Sequence, residues 1–172
     1  MKKIALALCA IWSLQAADHD LYRNSIEATG SYVFNDNKMH LEDQWGWGLR
    51  YQYNITPSNF WVPGAVQLAF DHAFQGDYFG GGSTSVNDWG VNALWYADNA
   101  SDLTPYALAG VGVQFFSDEK EGNRDGLFLA LGAGLEYQIR GDFSLLGEAK
   151  WLYGGDESSV VTSIGVKYSF GQ

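Results

Sequence analysis

Ser159 to Phe170 reads S-V-V-T-S-I-G-V-K-Y-S-F. Val160, Thr162, Ile164, Val166, Tyr168 and Phe170 fall on one face, and Val161, Ser163, Gly165, Lys167 and Ser169 on the other. A period of two is the signature of a strand, here with one apolar and one mostly polar face. A soluble sheet gives the same alternation, so the rest of the chain has to decide what the apolar face meets.

Seven more segments upstream alternate in the same way. In the clearest, Trp45, Trp47, Leu49, Tyr51 and Tyr53 oppose Gly46, Gly48, Arg50, Gln52 and Asn54. Each run is about 9 to 12 residues, enough for a tilted strand to cross a hydrocarbon layer. The eight segments predict an all-β fold, an eight-stranded antiparallel up-and-down transmembrane β-barrel. The alternative is a soluble sandwich or lipocalin-like barrel with its apolar face inward. Two features favour the membrane. Trp45, Trp47, Tyr51, Tyr53, Trp89, Trp95, Trp151 and Tyr153 stand on apolar faces near segment ends, as an interfacial aromatic girdle would. The opposite faces carry glycine and isolated charges, which suits a narrow, crowded lumen.

The start of the chain supports export. Lys2 and Lys3 precede an apolar run from Ile4 to Leu14, too short for a membrane helix, and small residues follow at Ala16 and Ala17. Residues 1–16 are read as a signal peptide and 17–172 as the barrel domain, although Leu14 is not the small residue a peptidase favours at −3. Cys9 is the only cysteine of the 172 residues, and Leu8 before it does not suit a lipoprotein box. The mature chain then has no disulfide. Cleavage removes two of ten basic residues, leaving 8 against 20 acidic ones and a charge of −12. That excludes nucleic acid as an expected partner. An exported chain of alternating strands enters lipid only as a closed barrel, because an open edge leaves backbone groups unsatisfied.

The end of the chain carries a resemblance. Ser163, Gly165, Tyr168 and Phe170 have the spacing of the C-terminal insertion β-signal of outer-membrane barrels. Three stretches resemble the last strands of the OmpA transmembrane domain: G-L-E-Y-Q-I (Gly134–Ile139), L-L-G-E-A-K-W (Leu145–Trp151) and G-V-K-Y-S-F-G-Q (Gly165–Gln172). As motif this covers about 40 residues, and as architecture the whole mature chain. The resemblance implies a bacterial outer-membrane protein with both chain ends in the periplasm. Loops 35–43, 75–87, 117–126 and 154–158 then face outside, and 54–64, 97–104 and 140–143 face the periplasm. It implies lipid, lipopolysaccharide and the barrel assembly machinery as partners, and a monomer. The family's peptidoglycan-binding domain is not expected in a chain ending at Gln172.

The family also pairs an inward carboxylate on strand six with a basic residue that can exchange partners. Glu136 matches the carboxylate, but the arginine position on strand seven falls at Leu146. Other inward charges are Glu27, Arg50, Asp71, Glu148, Lys150 and Lys167. Buried charges must be paired. They are expected to satisfy one another inside a plug, with Arg50 and Lys150 as principal partners of the carboxylates.

Enzyme chemistry finds little footing. A lipid hydrolase needs serine and histidine in reach plus an orienting carboxylate. His19 follows the leader, His40 lies in an outer loop near Asp36 and Asp43, and His72 faces lipid with no His-x-Ser pair nearby. Gly80-Gly81-Gly82 lacks the lysine of a phosphate loop. No cofactor, metal or catalytic residue is expected. Two function classes remain: a structural envelope barrel passing at most small ions, and a surface barrel that binds through its outer loops, where Tyr78 and Phe79 are the exposed aromatics on offer.

Overall fold

The computed structural model describes residues 23–36, 41–55, 62–77, 82–97, 102–118, 124–154 and 157–171. The leader with Cys9 and His19 lies outside these ranges, as do His40, Phe60, Trp61, Tyr78 and Phe79. Eight strands follow one another: β1 (Asn24–Asn35), β2 (Gln44–Asn54), β3 (Ala65–Asp77), β4 (Ser83–Tyr96), β5 (Leu103–Asp118), β6 (Arg124–Arg140), β7 (Phe143–Gly154) and β8 (Glu157–Phe170). Each pairs antiparallel with the next, and β8 returns to β1 from Asn24↔Phe170 to Asn35↔Ser159, closing the barrel. Closure satisfies the edge backbone groups that lipid could not.

Alternation becomes inside and outside. Along β2, Gln44, Gly46, Gly48, Arg50 and Gln52 are buried, while Trp45, Trp47, Leu49, Tyr51 and Tyr53 are exposed. The exterior is apolar through the barrel's middle, with Leu127 at 78% and Ile164 at 75% exposure. A water-soluble barrel hides such residues; a membrane barrel presents them to acyl chains.

Strand takes up part of several expected outer loops. Of 75–87, residues 75–77 belong to β3 and 83–87 to β4. Of 117–126, residues 117–118 belong to β5 and 124–126 to β6. S-T-S-V-N at Ser83–Asn87 has the polar composition of a loop, yet it pairs with β3 and β5 where the strands run past the apolar belt. A bulge in β3 between Ala73 and Gly76 absorbs the register shift. With β4 starting early, Trp89 lies mid-strand, opposite Phe70 and Val113, not at a segment end where a girdle belongs.

Candidate functional site: the barrel lumen

The period of two sends each inward residue to the axis, and the register decides which of them meet. Near the end that holds the chain termini, Lys167 Nζ donates to Glu136 Oε2 at 2.7 Å. Lys167 stands opposite Glu27 across the β1–β8 seam, and Glu27 stands opposite Arg50 on β2. Arg50 lies 4.0 Å from Glu27, 2.9 Å from Glu148 and 3.6 Å from Asp71. Asp71 in turn accepts from Lys150. All seven expected charges are buried. They form one alternating series of acid and base: Glu136, Lys167, Glu27, Arg50, Asp71 and Lys150, with Glu148 branching from Arg50.

Neutral groups fill the gaps. Gln67 Nε2 donates to Glu27 Oε2 at 3.0 Å and accepts from Asn92 Nδ2 at 2.9 Å. Tyr106 Oη donates to Glu148 Oε2 at 2.9 Å, and Tyr96 Oη to Gln52 Oε1 at 3.0 Å. The Lys167 ammonium also sits 5.5 Å from the Tyr96 ring centroid. The position that the OmpA resemblance gives to arginine holds Leu146, directly opposite Glu136. Lys167, one strand further on, supplies the cation instead.

Sequence reasoning missed three things. Asp88 stands inward, directly opposite Asp71 and next to Gln114, and its Oδ1 is buried. The lumen therefore holds five carboxylates against three cations among the described residues. Second, the lumen is not lined by charge and glycine alone. Leu94, Leu108, Phe128, Leu152 and Val161 are buried there in one apolar cluster, beside Tyr96 and Tyr106. The signal was present, since the inward positions of β4 to β8 include Leu94, Leu108, Phe128, Leu152 and Val161 among their polar residues. Third, several inward glycines are seats for large neighbours: a Cβ at Gly134 would run into the Tyr106 ring and hydroxyl, and one at Gly112 into the Phe128 ring.

On the outside, Trp45, Trp47, Tyr51, Tyr53, Trp151 and Tyr153 are exposed around the barrel, as is the mid-strand Trp89. Trp95 is half-buried. The terminal signal residues divide by face: Ser163 is buried, Gly165 lies against β1, and Tyr168 packs outward between Phe143 and Phe170. His72 also faces outward. Its Nδ1 lies 2.9 Å from Asn87 Oδ1, and its ring lies near Trp47 and Phe74.

Solved structures share this architecture. Neisserial surface protein A aligns with a TM-score of 0.64 at 16% identity, over 86% of this chain and 97% of that one. The N-terminal β-barrel domain of Pseudomonas aeruginosa OprF gives 0.58 at 20%, over 87% and 99%. The outer membrane enzyme PagL gives 0.53 at 12%, over 84% and 99%. At such identities the likeness is one of fold. No curated protein matches the sequence. The family model described as outer membrane protein beta-barrel domain matches residues 4–170. On a match of that length, and a closed eight-stranded barrel with an OmpA-like plan, this chain belongs to the outer membrane protein beta-barrel domain family.

Proposed function

We propose that this chain is a structural, integral protein of the bacterial outer membrane, exported by its leader, whose plugged polar lumen passes at most small ions. The observation that carries the reading is the filled interior: charges paired across the axis, with aromatic and aliphatic side chains packed beside them. An eight-stranded barrel has room inside for little more than side chains. Planar-bilayer recording of the purified, refolded protein tests it. Brief, low-amplitude events are expected, and large steady currents would overturn the plugged lumen. With five carboxylates against three cations, any current should favour cations. Anion selectivity, read from the reversal potential in a salt gradient, would contradict that charge count.

His72 itself is not assigned as a catalytic base, since it meets an amide and two aromatic rings. Insertion is proposed to depend on the apolar positions of the last strand. Phe170→Ala removes the ring stacked on Tyr168 at 6.0 Å, at the residue that pairs with Asn24 to start the closing seam. It should lower the amount recovered in outer-membrane fractions and leave more in the periplasm. Wild-type recovery by immunoblot would remove this role from Phe170.

A further inference from the structure

The end of the lumen away from the chain termini has a character of its own. Ala73, Val86 and Phe116 form a separate buried apolar cluster, packed against Val33. The first three stand directly opposite one another across β3, β4 and β5. Val33 also packs on the larger cluster, which contributes Phe128, Leu152 and Val161 from β6, β7 and β8. Seven of the eight strands therefore place an apolar side chain in this layer. On the strands that carry both a lumen charge and a layer residue, the layer residue lies nearer the far end: Val33 beyond Glu27, Leu152 beyond Lys150, Val161 ahead of Lys167.

The remaining strand, β2, supplies a brace. Gln44 Nε2 donates to the carbonyls of Phe74 at 2.8 Å and Thr84 at 3.0 Å, joining β2 to the bulge of β3 and to β4. Arg124 covers the layer, its guanidinium 5.6 Å from the Phe116 ring centroid.

We infer that this apolar layer is a dewetting constriction at the far mouth of the lumen, standing in series with the ion pairs and holding the path shut. The inference rests on the proposed reading of a barrel that passes at most small ions. Ion pairs alone seal poorly, because a charged group that loses its partner recruits water. An apolar constriction offers water no hydrogen bonds, so water and the ions it carries are expelled. Rearranging the ion pairs beneath would then leave the path closed until the layer itself parts.

The test is planar-bilayer recording of the full chain beside Phe116→Ser, Val86→Thr, Lys150→Met and Phe115→Ser, each first checked for a folded barrel by its heat-dependent gel migration. Phe115 faces lipid beside Phe116 and serves as the control. Val86→Thr keeps shape while adding a hydroxyl, so it carries the test should Phe116→Ser fail to close its barrel. The layer variants are expected to raise open probability roughly tenfold. Phe115→Ser should match the wild type, and Lys150→Met should rise less than the layer variants. Wild-type conductance from both layer variants, or an equal rise from Lys150→Met, would overturn the inference. Large steady currents from the wild type would instead overturn the plugged-lumen reading on which it rests.

Discussion

Arg50→Ala is expected to destabilise the folded barrel by about 3–5 kcal/mol, the cost of leaving buried charge without its partner. The Arg50 side chain is 0% exposed and that of Glu148 1% exposed, so solvent screens neither. The three carboxylates around Arg50 do not suffer equally. Asp71 keeps Lys150, and Glu27 keeps Gln67 with Lys167 opposite in register. Glu148 is left with the Tyr106 hydroxyl. The loss should therefore be carried mainly by Glu148, and Arg50→Met combined with Glu148→Gln should recover much of it. Urea unfolding in phospholipid vesicles, followed by gel migration and tryptophan fluorescence, measures all three proteins. A loss below about 1 kcal/mol in Arg50→Ala, the range of exposed pairs, would show that water reaches the network.

Alternation was legible because it needs no knowledge of tertiary structure. β2 and β8 read as strands residue by residue, and eight such runs carry the barrel with them. Segment ends were less legible. Ser83–Asn87 has loop composition but lies in the ladder, and nothing in Q-G-D announces the bulge that sets its register. The lumen was legible as a list and not as a map. Periodicity says that Glu136 and Lys167 point inward, but only the stagger between strands brings them to 2.7 Å while Leu146 occupies the position beside Glu136. Asp88 escaped for the same reason: its significance comes from standing opposite Asp71. The apolar layer is a property of the closed ring, since one apolar residue per strand has no meaning until closure gathers them into two clusters that share Val33.

Gly112→Ala is expected to cost about 1–3 kcal/mol, as overpacking does, although alanine is a mild substitution in most strands. The added Cβ would run into the Phe128 ring and the Trp89 carbonyl oxygen. The ring can turn away alone, but the carbonyl belongs to the β4–β5 ladder and cannot yield without disturbing the register Trp89↔Val113 and Gly90↔Gly112. Gly147→Ala is the comparison. It also lies in a strand, but nothing stands within 4 Å of a Cβ there. Ordinary preference against glycine in a strand should make that change neutral or slightly stabilising. The pair separates two accounts of the chain's many strand glycines. If they merely supply backbone freedom, both substitutions behave alike; if the inward ones seat large lumen side chains, only Gly112→Ala destabilises. Equal urea midpoints for the two variants would decide for the first account, and would mean that the lumen is packed more loosely than the contacts of Phe128 imply.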